Sequence, residues 1–533
     1  MNSFPGSAGS KSIFFLIALN LIIGLFIFRD YGLSWDEPLF YNYGDALGYA
    51  YSPKEWFSGH FDLTQSYGSS GDDHKTRGPA YLLLAREPVA LLQSFGLDSA
   101  AAWHLINFIF FQGAVYCLYR LSRRWLTSAA ALSASALFAW QPLLWGHAFI
   151  NPKDPPFLTF FLAAVTIGFE MVDNLLEPPS QISVSKGRFF IVAAAFFLGI
   201  ATSIRVLGPL AGLLVGCYLF VRTMSLPSAT RPRAAWNAFF AYGLLSVLIM
   251  LVTWPFLWGN PIARFGDVFR LMSDNPTNLS VLFGGQVYRA GELPRRYLPF
   301  MLFTTLTEPI WPLAGLGVLY VVWKLRSTIK LAINPYWLTL ALTVSWFVIL
   351  LLYALLRRPA MYDGLRHFMF ILPPIFILSG FGIESLFQWI GIRWLRAIAL
   401  LVMLLPGFYA AIMLHPFEYT YYNSFVGGTA GAFRKYETDY WLTCYKEAVE
   451  QLNQNLNEPT NLFVHREAYI AAYYAKPSLH VQDVRGALQT IQSGDALLVN
   501  TRTNEDRRTF KDTPSLLEVG RGRATFCIVK GIP

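Results

Sequence analysis

Two adjacent carboxylates, Asp36 and Glu37 in Trp35-Asp36-Glu37-Pro38, follow shortly after the first long apolar run ends at Phe28. A carboxylate pair beside a membrane helix must be solvated, be paired or act on a substrate. A third acid, Asp154, lies beside Lys153 in Asn151-Pro152-Lys153-Asp154-Pro155-Pro156, directly before another apolar run. Cations and polar groups recur between later runs: Arg205 alone, then Arg357 and Arg358, then Tyr362, Asp363, Arg366 and His367. These residue types suit one chemistry. A carboxylate takes a proton from a hydroxyl, and arginine forks hold phosphate oxygens two at a time as negative charge develops there.

Each residue also has a plainer role. Asp36 and Asp154 could cap helices, with Pro in the first turn. Arg366 and His367 could snorkel to an interface, and Asp363 could simply pair with an arginine. His60, Asp62, Asp72, Asp73 and His74 show no metal-ligand spacing and read as a solvated loop.

The elements that must position these groups are membrane helices. The chain of 533 residues is 54% hydrophobic and 14% charged, against about a quarter charged in soluble domains. Apolar runs of bilayer-spanning length recur. They predict about eleven helices, near 12–29, 101–120, 128–148, 156–173, 188–204, 207–222, 236–258, 298–323, 336–356, 367–387 and 395–414. Residues 13–28 read as an uncleaved first helix, because no small-residue cleavage site follows. The run at 298–323 is long and interrupted by Pro309 and Pro312.

With the N-terminus cytoplasmic, the short inner loops carry Arg120, Arg123 and Arg124, then Lys186 and Arg188, Lys324 and Arg326, and Arg393 and Arg396. This satisfies the positive-inside rule. The chemical residues then collect on the outer side. That side begins with a large first loop, 30–100, in which 79–95 read as interfacial helix. The net charge of +9 suits orientation and anionic lipid, and no basic tract with interleaved aromatics points to nucleic acid.

From about residue 415 the composition changes. Strand-like runs at 461–465, 479–482, 496–500 and 524–529 and a helical pattern over 441–456 predict a small soluble α/β domain. The expected organisation is thus a membrane domain, 1–414, and an extracytoplasmic domain, 415–533. Cys444 and Cys527 could pair there, while Cys117 and Cys217 fall inside spans.

The order of these features resembles the GT-C superfamily of membrane glycosyltransferases, in the branch of protein O-mannosyltransferases and lipid A aminoarabinose transferases. The matching features are Asp36-Glu37 after the first helix, Asp154 leading into the fourth, Tyr362-Asp363-Gly364-Leu365-Arg366-His367-Phe368 entering a late helix, and the stretches 293–300 and 415–441. The resemblance implies an inverting transfer of a sugar from a polyprenyl phosphate to an acceptor hydroxyl at the outer face of the plasma membrane (the inner membrane of a bacterium). Asp36 would be the general base, Glu37 and Asp154 positioning carboxylates, and Arg205 and Arg366 phosphate contacts. The chain lacks a β-trefoil insertion, which leaves glycolipid, glycan and protein acceptors open. No cofactor is required, and a divalent metal is compatible with the chemistry but not needed. A lipid-linked-sugar transporter and a metal-dependent oligosaccharyltransferase are the competing readings; the first would call for charges near helix centres and a repeated helix pattern.

Overall fold

A computed structural model describes residues 8–176, 184–226, 233–274, 279–326, 334–455 and 459–533. Each of the eleven expected segments is helical or a pair of helices. Among the described residues, six helices are long and apolar enough to cross a membrane: Ser99–Ser122, Asp154–Leu176, Ser185–Ile204, Arg233–Val252, Pro335–Arg357 and Arg393–Leu414. A seventh span follows if the bent pair Tyr297–Thr305 and Ile310–Arg326 counts as one. Ser128–Ala139 and Pro209–Met224 are apolar but shorter. The protein is an integral, multi-pass membrane protein.

Local chemistry sets the helix ends. Asp98 accepts from the Ala101 amide at 3.0 Å and starts Ser99–Ser122. Asn334 accepts from the Tyr336 amide at 2.9 Å, with Pro335 in the first turn of Pro335–Arg357. Asp154–Leu176 lies at the centre, with 94% of its apolar window buried, whereas Arg393–Leu414 has 17% buried and turns its side chains to lipid. Helices Ile310–Arg326 and Pro373–Trp389 pack closely because a Cβ on Gly317 would lie 1.9 Å from the Leu378 carbonyl, and one on Gly382 2.2 Å from that of Leu313.

Two of the expected spans are broken, one of them, 298–323, in the run that the sequence shows interrupted by Pro309 and Pro312. The 128–148 run breaks between Ala139 and Pro142, and the 298–323 run bends by 100° between Thr305 and Ile310. The breaks satisfy each other. The Gln141 amide accepts from the Thr307 N–H at 3.0 Å and donates to the Thr307 hydroxyl at 2.7 Å. Asn423 donates to the carbonyl of Leu306 at 3.1 Å. Non-helical backbone at this depth is tolerable only with such partners.

The loop after Arg233–Val252 carries a short hairpin, β1 (Ser280–Phe283) with β2 (Gln286–Arg289), which the sequence reading did not anticipate. The stretch 79–95 is one helix, Ala80–Ser94, packed on Ser99–Ser122 and on Glu37–Ala50. Residues 415–443 also pack into this end of the bundle, with Glu418, Tyr419, Tyr422 and Glu437 buried.

A five-stranded sheet follows, in the order β4 (Leu479–Asp483), β3 (Thr460–Val464), β5 (Ala496–Asn500), β7 (Ala524–Gly531), β6 (Ser515–Arg521). The first three strands are parallel; β7 runs antiparallel to β5 and β6. Strand β6 has no counterpart among the runs read from sequence. Helix Cys444–Asn455 packs on the sheet, and a disulfide joins Cys444 to Cys527.

Candidate active site

Asp36 stands at the N-cap position of helix Glu37–Ala50, but its side chain caps nothing. The carboxylate is free to turn elsewhere, and it faces Arg366, with Oδ2 3.6 Å from Nη1. Glu37 is turned the other way and has no exposure. It accepts from the Ser34 amide at 2.5 Å and from the Tyr41 hydroxyl, and lies 3.0 Å from His104 Nε2. The adjacent pair is therefore split. Asp36 faces a cluster of arginines, while Glu37 locks the start of its own helix.

Asp154 is not the cap of its helix either. Asn151 takes that part, its Oδ1 accepting from the amides of Lys153 and Asp154 at 3.0 Å each. This leaves the Asp154 carboxylate for Arg205, which donates to Oδ1, and for Asn151 Nδ2 at 2.9 Å from Oδ2. Arg366 Nη1 lies 3.5 Å from the same Oδ2. Behind them, Asn151 contacts His147 Nδ1 at 3.3 Å, and His147 Nε2 contacts the Tyr440 hydroxyl at 2.9 Å.

Arg366 is the hub. Its Nη2 pairs with Asp363 Oδ2 at 2.8 Å, and its guanidinium lies 4.4 Å from the ring centre of Trp441 and 5.1 Å from that of Tyr362. Burial opposes its charge, but Asp363, Tyr362 and Asp36 together hold it more firmly protonated than a free arginine. Of the three carboxylates around it, Asp36 keeps 21% of its side chain exposed, against 2% for Asp154 and 0% for Asp363. Asp36 is thus the one of the three that solvent reaches.

Further cations crowd the same place. Lys153 Nζ lies 5.7 Å and the Arg77 guanidinium 6.0 Å from the ring centre of Phe40. Burial, then Arg77 and Arg205, pushes the Lys153 ammonium well below its ordinary range. Burial, then Arg366, lowers Arg205 to about 9. His367 lies edge-on to the Tyr362 ring at 4.7 Å. A region where cations depress one another gains from an incoming anion.

Arg357 and Arg358 do not join this group. Both are exposed, and the Arg358 Nη2 donates to the Leu293 carbonyl at 3.0 Å. Arg77, which the sequence reading passed over, comes instead. Its stretch was read as a solvated loop, yet His74 is buried, edge-on to Phe40 at 5.0 Å; the side chains of Asp72 and Asp73 lie outside those described. Among the described residues, no group of three or more His, Cys, Asp or Glu is arranged to hold a metal ion.

The loop that brings Arg77 in depends on Gly78, where a Cβ would sit 1.7 Å from the Ser203 carbonyl, next to Arg205. Backbone cannot yield there as a side-chain tip can. Gly78→Ala is expected to cost about 1–3 kcal/mol and to move Arg77, lowering the thermal midpoint of the solubilised protein. An unchanged midpoint would show that the contact does not hold the loop.

No protein-family model and no curated protein matches the sequence. Among solved structures, the archaeal oligosaccharyltransferase AglB from Archaeoglobus fulgidus, in complex with an inhibitory peptide and a dolichol-phosphate, aligns over 95% of this chain and 71% of its own. The identity is 11% and the TM-score 0.51. ArnT from Cupriavidus metallidurans in the apo state aligns over 98% of both chains at 16% identity and TM-score 0.48. Arabinofuranosyltransferase AftD from Mycobacteria aligns over 97% of this chain and 40% of its own, at 12% identity and TM-score 0.45. The likeness to AglB shows that this chain shares the fold of that membrane protein.

Proposed function

We propose that the protein is an inverting glycosyltransferase that moves a sugar from a polyprenyl phosphate to an acceptor hydroxyl. The observation that carries this reading is the reachable Asp36 carboxylate 3.6 Å from Arg366, beside Arg205 and Lys153. Asp36 takes the proton of the acceptor hydroxyl, whose oxygen attacks the anomeric carbon. The bond from that carbon to the phosphate oxygen breaks, and its electron pair leaves with the phosphate. Arg366, Arg205 and Lys153, with Arg77 behind them, hold the leaving group as its charge grows. Asp154 and Asp363 aim the arginines, and Glu37 aims the helix that carries Asp36.

The donor class gains support from the dolichol-phosphate bound in AglB. The proposed orientation puts the N-terminus in the cytoplasm and this site on the outer side. The Cys444–Cys527 disulfide supports that placement, since such bonds persist in oxidising compartments.

The test is to reconstitute the purified protein in liposomes with a panel of polyprenyl-phosphate monosaccharides and candidate acceptors. Release of polyprenyl phosphate, with a new glycosidic bond of inverted anomeric configuration, is the expected result. Movement of the lipid-linked sugar across the bilayer without a new bond would overturn the reading.

A further inference from the structure

Arg502 stands two residues beyond the end of β5, in the sheet domain, with 2% exposure. Its Nη2 lies 2.5 Å from Asp363 Oδ1 and its Nε 2.9 Å from Glu437 Oε1. Asp363 thus bridges two arginines, with Arg366 on its other oxygen. The Arg502 guanidinium also lies 5.0 Å from the ring centre of Trp35, the residue before Asp36. Three more contacts hold the same segment. The Tyr469 hydroxyl donates to the Trp35 carbonyl at 2.5 Å, the Tyr474 hydroxyl accepts from the Leu33 amide at 2.9 Å, and the Trp35 amide donates to the Trp441 carbonyl at 3.2 Å.

We infer that the sheet domain is a working part of the active site and that Arg502 is its positioning residue, setting the distance between Asp36 and Arg366 from both sides. The inference rests on the glycosyltransferase reading. Arg502 neutralises Asp363, so that Arg366 can be shared among Asp363, Asp154 and Asp36. Without Arg502, Asp363 draws Arg366 toward itself and away from Asp36. The same loss frees Trp35, and Asp36 with it. Glu437, whose carboxyl burial pushes up to about 7 against the pull of Arg502, is left without its ion-pair partner and takes up a proton.

The charged and titratable groups that face Asp36 are Arg366, Arg205, Lys153 and Tyr469, with Arg77 beside Arg205 and Lys153. In the full-length protein, Arg502→Gln is expected to lower kcat by on the order of a hundredfold, as misplacement of about 1 Å does, with KM for the lipid donor changed little. Arg502→Lys is expected to recover part of the rate, because it restores a cation between Asp363 and Glu437. Combining Arg502→Gln with Asp363→Asn is expected to cost much less than the product of the two single losses. No recovery of rate by Arg502→Lys, or fully multiplicative losses, would overturn the inference while leaving the glycosyltransferase reading intact. A wild-type protein that forms no glycosidic bond would fail that reading instead. In that case the double-mutant comparison is read from thermal unfolding, where additive effects would overturn the Arg502–Asp363 coupling itself.

Discussion

Asp36→Asn is expected to lower sugar transfer by about 10²- to 10⁴-fold, the usual contribution of a positioned general base, while the protein inserts and unfolds as the wild type does. The structure separates these two outcomes. The Asp36 side chain caps no helix, so its amide replacement loses no local structure. Arg366 keeps Asp154 and Asp363, so no buried charge is left alone. The amide has nearly the size of the carboxylate and cannot take a proton from a hydroxyl. The measurement is initial rate against donor concentration, beside a thermal unfolding curve of the same preparation. A well-folded Asp36→Asn protein that transfers at the wild-type rate would remove Asp36 from the chemistry and direct attention to Asp154.

Arg366→Lys is expected to lower kcat/KM by about 10²- to 10³-fold, as loss of one preorganised contact to a developing anion does. Lysine is the informative change because it preserves charge at a position 4% exposed. Removing the cation altogether would take one of two arginine partners from Asp363 and from Asp154, which keep Arg502 and Arg205, and loosening buried pairs would confuse chemistry with folding. A lysine ammonium cannot reproduce the planar fork that faces Asp36, Asp154 and Asp363 together, nor stack as well between Trp441 and Tyr362. The rate should therefore fall while the thermal midpoint drops only modestly. If transfer is unaffected, the phosphate is held elsewhere, with Arg205 and Lys153 the next candidates. Normal transfer by an Arg366→Lys protein would also undercut the Arg502 inference, which works through Arg366.

These effects are large for a reason the helix pattern alone does not convey. The site lies at the junction of six stretches: 33–36, the loop with Arg77, 151–154, the corner with Arg205, 363–366, and Arg502, which reaches in from two residues beyond β5. Each brings one or two charged groups, and each is anchored by a contact to another stretch. Small displacements are therefore shared rather than absorbed by one loop.

Much of this was legible in the residues. Apolar runs report bilayer spans because lipid imposes the same requirement on every residue of a helix, so each of the eleven runs is helical in the structure. Asp36, Asp154, Asp363 and Arg366 could be chosen because charge beside a span is costly and calls for a partner. The short apolar runs at 461–465 and 496–500 read as strands because a strand covered on both faces is apolar along its length between polar turns. What tertiary structure decided was which way each charge turns. Asp36 and Glu37 are neighbours of like type, and only the contacts of Ser34, Tyr41 and His104 send Glu37 inward. Arg357 and Arg358 looked equal to Arg366 in the chain, yet they stay exposed at the end of helix Pro335–Arg357. Arg77 and Arg502 enter from stretches with no helical or strand signature of a site: one on a loop seated by Gly78, the other beyond a strand edge. Spacing along a chain specifies neighbours within one element, whereas this site is built between elements. Its membership is therefore set by packing distances that no local pattern encodes.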